Sequence, residues 1–172
     1  MIDLARWSPT TLRRLNLRLF DDPEYQYDLD SLGGFDVEAV TRRRIANMKD
    51  EKIQALLRSA PSCPIGDAAA FRDWWAKWMP LAAGSQLWPD GNHRVGMMIA
   101  ELVAEQAGFT MVLDEDDIDA MRSSSKALIQ SRPDVERRLE HLSDPKDPLS
   151  QFYWAFRSRL RLVPVTPASY TP

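Results

Sequence analysis

Residues 67–108 decide the fold, and they read DAAAFRDWWAKWMPLAAGSQLWPDGNHRVGMMIAELVAEQAG. Two apolar stripes in this stretch recur at helical spacing, and their members are Phe71, Trp74, Trp75 and Trp78, then Val95, Met98, Ile99, Leu102 and Val103. Asp67 can cap the first helix, and Gly108 is typical of the end of the second. The spacing predicts helices over residues 67–79 and 93–107, with Pro80 ending or kinking the first. We expect the two helices to pack together through Trp74, Trp75, Trp78, Met98, Ile99 and Leu102.

Sequence on both sides of this stretch adds further amphipathic helices. Ser8-Pro9 marks one helix start, Asp114 can cap another, and Pro148 fits a first helical position. No stretch alternates convincingly enough to predict a strand, and no internal repeat is present. We therefore predict an all-α fold, a single-domain helical bundle of roughly six to seven helices over residues 1–172. The sequence leaves open whether a short flap precedes the second helix of the stretch. Residues 164–172 are expected to form a flexible tail.

Composition narrows the class of protein. The chain has 172 residues, of which 44% are hydrophobic, and a net charge of −3. That charge gives no overall attraction to nucleic acid or to an anionic membrane. A single cysteine, Cys63, excludes an intramolecular disulfide, and no run of residues is apolar enough to predict a membrane span. We expect a cytoplasmic protein with no membrane or nucleic-acid partner.

The loop between the two predicted helices could bind an anion. It reads QLWPDGNHR at residues 86–94. Gly91 lets the backbone approach a ligand closely, and the amides of Gly91, Asn92 and His93 stand at a helix start that favours an anion. Arg94 can reach phosphate oxygens with both arms of its guanidinium, and Asp90 can hold a Mg²⁺ beside them. Asp-Gly is also a common turn signal, so the residues alone leave a structural turn and an anion site open.

This loop resembles the motif of the Fic/Doc family, which reads His-x-Phe-x-(Asp/Glu)-Gly-Asn-Gly-Arg, or Ala-Asn-Lys-Arg in the Doc branch. Asp90, Gly91, Asn92 and Arg94 match the motif position for position, and Trp88 takes its aromatic place. The resemblance spans residues 67–130. It implies a Fic/Doc-like helical domain that binds Mg²⁺ and a nucleotide or another phosphorylated donor. Gly91, Asn92, His93 and Arg94 would then contact the phosphates, and Asp90 would hold the metal.

Three motif positions depart from the family. The histidine that deprotonates the target hydroxyl is Gln86 here, the second loop glycine (a lysine in Doc) is His93, and a second arginine is Met97. Glutamine has no titratable group, and losing a general base typically costs about 10² to 10⁴ in rate. His93 could contact phosphate as an imidazolium or take over proton transfer, or it could be a solvent-facing residue at a helix start. Gln86 and His93 are therefore the candidate catalytic residues.

Three functions remain open on the sequence. The first is a divergent Fic/Doc-type transferase that has lost the usual base for AMP transfer and modifies a hydroxyl of a protein or small molecule. The second is a catalytically inactive Fic-like module that binds a regulatory partner protein. The third is an unrelated helical interaction protein in which Asp-Gly-Asn is only a turn. Nucleotide binding separates the third from the others, and covalent transfer separates the first from the second.

Overall fold

A computed structural model of the chain describes residues 1–18, 21, 35–89, 91–131 and 138–165, and only the backbone of residues 35–37. These ranges form eight α-helices and one two-stranded sheet: α1 (Pro9–Arg18), α2 (Phe35–Ala46), α3 (Asp50–Ser59), α4 (Ala68–Gly84), α5 (Asn92–Ala107), β1 (Phe109–Val112), α6 (Glu115–Gln130), α7 (Leu139–Leu142), α8 (Pro148–Phe156) and β2 (Arg161–Pro164). The predicted all-α bundle is confirmed. The described part has more helices than the sequence predicted, and one of them, α7, is a single turn.

α4 and α5 are the two central helices predicted from the stripes, and they pack against each other. Trp74, Trp75 and Trp78 are buried, and so is Ile99, whereas Met98 and Leu102 are only partly buried. The closest approach is at Gly96, where an added Cβ would lie 2.8 Å from the Cβ of Ala82. The indole N–H of Trp78 donates to the carbonyl of Gly96 at 2.8 Å. This contact fixes the start of α5, and therefore the loop before it, against α4.

The sequence predicted that Pro80 ends or kinks α4. The predicted end is wrong, and the kink stays a prediction. The helix continues to Gly84, although a proline inside a helix removes a hydrogen bond and costs about 3 kcal/mol. The next turn, residues 81–84, is buried throughout. Burying Leu81 alone contributes about 2 kcal/mol, so the apolar contacts of this turn can offset the cost of Pro80. Tertiary packing overrides the local signal here.

A two-stranded antiparallel sheet closes the far end of α5, and the sequence reading missed it. Phe109 pairs with Pro164 and Val112 with Arg161. Beyond β2, the amide of Val165 donates to the carbonyl of Gly108 at 2.9 Å. The predicted flexible tail is therefore wrong for its first two residues, and residues 166–172 lie outside the described residues. In the described residues before α5, no flap hairpin is present, and the one isolated bridge there joins Ile2 to Cys63.

Among the described residues, no helix combines the length and the apolar character that a membrane crossing requires.

Candidate anion-binding site at the motif loop

The loop between α4 and α5 is held in shape by the side chain of Asn92. Its carboxamide oxygen accepts the amide of Trp88 at 2.9 Å, and its nitrogen donates to the carbonyl of the same residue at 2.8 Å. Asn92 is buried, and Gly91 before it has φ 78°, a conformation that favours glycine. The loop thus turns tightly into the first turn of α5. Such a turn aims the amides of Asn92 and His93 outward from the start of a helix.

Arg94 and Asp90 were predicted to bind phosphate and Mg²⁺. Arg94 is partly buried in the first turn of α5, whereas Asp90 lies outside the described residues. Among the residues that the structure describes, no cluster of three or more His, Cys, Asp or Glu side chains could hold a metal ion. The magnesium assignment therefore stays a prediction that rests on Asp90 and on the ligand's own phosphates.

Gln86, at the position of the motif histidine, is exposed and has φ 47°. A positive φ is uncommon for a residue other than glycine and stores backbone strain. Its side-chain nitrogen donates to the carbonyl of Ala83 at 2.6 Å, so this carboxamide provides a hydrogen-bond donor to a carbonyl in the last turn of α4. In this position Gln86 lines the groove described below with its neighbours in the loop.

His93 joins three helices instead of facing solvent. Its Nδ1 lies 3.1 Å from the hydroxyl of Tyr153 on α8, and its Nε2 lies 3.0 Å from Oγ of Ser125 on α6. Ser125 donates to the carbonyl of Met121 at 2.7 Å, so its oxygen is left to accept from the imidazole. Nε2 therefore carries the proton, and Nδ1 accepts from the tyrosine. We call this chain of three side chains, Tyr153, His93 and Ser125, the His93 clasp.

The His93 clasp keeps the imidazole neutral. The pKa of His93 is lowered to about 4, mainly by burial and secondly by the nearby charge of Arg122. Tyr153 is fully buried, and that burial raises the pKa of its hydroxyl. At neutral pH the ring is therefore not an imidazolium, and both of its nitrogens already have partners within the fold. The sequence raised an imidazolium as one role for His93, and these contacts argue against it.

A basic groove runs beside the loop, and the sequence reading did not identify it. Its volume is about 560 Å³, and its lining residues are Arg43, Arg44, Asn47, Met48, Lys49, Lys52, Gln86, Leu87, Trp88 and Pro89. Four of these are cations and none is acidic. We call this surface the motif groove. The run of arginines at residues 42–44 was the available signal, but only folding brings α2 and α3 beside the loop.

Helix stability explains the positions of two of these four cations but not of the other two. Arg43 and Arg44 lie in the last turn of α2, where the helix dipole favours positive charge. Lys49 is the N-cap of α3 and Lys52 lies in its first turn, where the same dipole disfavours it. Helix stability therefore does not account for the two lysines. Arg42 does not line the groove, because it pairs with Glu38 and Asp21.

Comparison of the chain with protein-family models, with curated proteins and with solved structures finds no match.

Proposed function

We propose that the motif groove binds a nucleotide or another phosphorylated donor, and that the chain is a divergent Fic/Doc-type transferase. The observation that carries this proposal is the groove itself. Four cations and no acidic side chain line a concave surface whose other wall is the loop that resembles the Fic/Doc motif. A phosphorylated ligand suits this arrangement, because arginine binds phosphate oxygens in pairs and lysine binds them as a point charge.

The same loop supplies hydrogen-bond donors in addition to charge. The start of α5 presents the amides of Asn92 and His93, and Arg94 lies in the same turn. Asn92 fixes the loop through Trp88, which is itself a lining residue of the groove. Residues 86–89 of the loop line the motif groove, and residues 92–94 begin α5 just after them, so a donor that extends past the groove would reach the helix start. Electrostatic stabilisation by such a loop does not depend on a base. Asp90 would hold the Mg²⁺ that accompanies the phosphates.

Proton transfer is the step for which the loop offers no ready group. Gln86 cannot accept a proton at neutral pH, and the neutral ring of His93 has both nitrogens engaged. A transferase of this kind would act on an acceptor that is already ionised, since such a nucleophile needs no base. The His93 clasp also favours a second candidate, a catalytically inactive module that binds the phosphorylated ligand and a regulatory partner protein.

Binding is tested by calorimetry with Mg-ATP and with inorganic pyrophosphate. Lys52→Ala and Arg44→Ala should each weaken binding about tenfold, because each removes one charged contact to phosphate. Lys126→Ala is the matched control, since Lys126 is exposed on α6 and does not line the groove. Arg94→Ala should weaken both ligands, and Asp90→Ala should weaken only the part of the affinity that depends on Mg²⁺. Absence of affinity in the parent, or equal affinities in Lys52→Ala and the control, would remove the proposal.

Turnover is tested by radiolabel transfer from several nucleotides to protein acceptors. The parent should transfer little or no AMP, and Gln86→His should recover a modest part of it, since Met97 leaves the arginine complement incomplete. If the chain runs a chemistry of its own through His93, then His93→Ala abolishes that chemistry and Gln86→Ala only impairs it. Robust AMP transfer by the parent that survives His93→Ala contradicts the role given to Gln86. Binding without transfer to any acceptor favours the inactive module.

A further inference from the structure

A second cavity lies away from the motif groove, between α4 and the helices at the C-terminal side of the chain. Its volume is about 520 Å³, within the range of sites for small molecules. The cavity begins at Ser59 and Pro61 after α3, passes Leu81 on α4 and Leu142 on α7, and reaches Trp154 and Ala155 on α8. None of its lining residues belongs to the motif groove.

The wall of this cavity offers little to a polar ligand. Its uncharged polar lining residues are Gln151 and three serines, and each serine hydroxyl donates to a carbonyl of the chain. Ser59 donates to Ala55, Ser143 to Leu139 and Ser150 to Leu142, at 2.6 to 2.9 Å. The hydroxyl hydrogens are therefore used within the fold. Most of the contact surface consists of carbon atoms of leucine, proline, alanine and tryptophan side chains. An occupant must be largely apolar.

Trp154 forms one side of the cavity and is held in place. The residue remains 40% exposed, which is unusual for so large an apolar group. The guanidinium of Arg157 lies 4.1 Å from the centre of its ring, and this arginine also pairs with Asp73 at 3.0 Å. An ordered tryptophan beside a concavity provides apolar area to a ligand without a large cost in side-chain entropy.

Lys77 is the one charged residue among the lining residues. It is exposed on α4 and forms no ion pair with any residue that the structure describes. Asp73, one turn earlier on the same helix, is engaged by Arg157. The cavity therefore combines a largely apolar lining with one ammonium group, that of Lys77, which has no ion-pair partner among the described residues. We propose that it binds an apolar monocarboxylate, with the carboxylate on Lys77 and the hydrocarbon body against Leu81, Leu142 and Trp154.

The test compares decanoate with decan-1-ol, which has the same chain length and no charge. Binding is followed by calorimetry and by the shift of the Trp154 indole N–H resonance. Lys77→Met should weaken decanoate about tenfold and leave decanol unchanged, because it removes the charge and keeps the apolar stem. Lys126→Met is the matched control and should bind both ligands as the parent does.

A second variant tests the location of the site. Ala155 is exposed and lines the cavity, so Ala155→Trp fills it from the surface without changing the core. This variant should lose both ligands and keep the parent's thermal unfolding midpoint. The proposal is overturned if decanoate does not bind the parent, if Lys77→Met binds decanoate as tightly as the control, or if Ala155→Trp still binds both ligands. Each result is independent of what the motif groove binds.

Discussion

Because His93 is held neutral in the His93 clasp, we expect the folded chain to lose stability in mild acid. His93 has a pKa of about 4 in the fold against an ordinary value of 6.5, so the unfolded chain binds the proton more readily. The stability that the folded chain gains from keeping His93 neutral is fully present above about pH 6.5 and is lost as the pH falls toward about 4. At about pH 5 a shift of this size corresponds to a loss of about 2 kcal/mol, and partial exposure of the ring lowers this to between about 1 and 2 kcal/mol.

The assay is urea unfolding at about pH 8 and about pH 5, for the parent and for His93→Gln. The variant should be less stable at about pH 8, because the bonds to Tyr153 and Ser125 are impaired. It should also lose less stability in acid than the parent. The carboxylates are the same in both proteins, so the difference between the two losses reports on His93 alone. His141→Gln is the control, because His141 is the other histidine and is exposed on α7. If parent and His93→Gln lose the same free energy of unfolding in acid, the neutral buried imidazole is refuted.

Three further predictions follow from the contacts around α4 and α5. Gly96→Ala should destabilise the chain by about 1 to 3 kcal/mol in urea unfolding, because its Cβ would lie 2.8 Å from Ala82; an unchanged midpoint would mean that the helices can separate at no cost. Asn92→Ala should cost about 2 kcal/mol by removing both bonds to Trp88, and it should weaken Mg-ATP binding, whereas full affinity would show that loop shape is irrelevant. Cys63 should resist a thiol reagent at neutral pH and react once the chain is unfolded in urea, because it is buried and burial raises the pKa of its thiol to about 12; rapid modification of the native chain would contradict this.

Features set by neighbouring residues were predictable from the sequence. The apolar stripes located both helices, α5 to within one residue, whereas α4 continues to Gly84, beyond the predicted end at residue 79. The Asp67 cap is present, with its carboxylate accepting the amide of Ala70 at 2.9 Å. Pro80 shows the limit of local reasoning, because its cost is offset by burial that only the packed bundle provides. The loop residues could be identified as a candidate anion site, but their sequence does not show which side chains lie opposite them.

Features that depend on distant residues were not predictable. His93 meets Ser125 and Tyr153, which are 32 and 60 positions away, so its burial has no local signal. β1 pairs with a strand that starts at Arg161, and two strands of four residues are too short for alternation to identify. The motif groove likewise needs α2 and α3 beside the loop, and helical periodicity says nothing about which helices become neighbours.

Residues 148–165 hold α5 at both ends, and this has a consequence for synthesis. Tyr153 binds the first turn through His93, and β2 pairs with the strand that directly follows the last turn. A ribosome that has released α4 and α5 but not yet this segment would present both helices with their closing contacts missing. The bonds between Asn92 and Trp88 could form at this stage, but the first turn of α5 would still lack its contact with Tyr153. Nascent chains arrested before residue 148 should therefore be cut by protease within α5 more readily than nascent chains that already include residue 165.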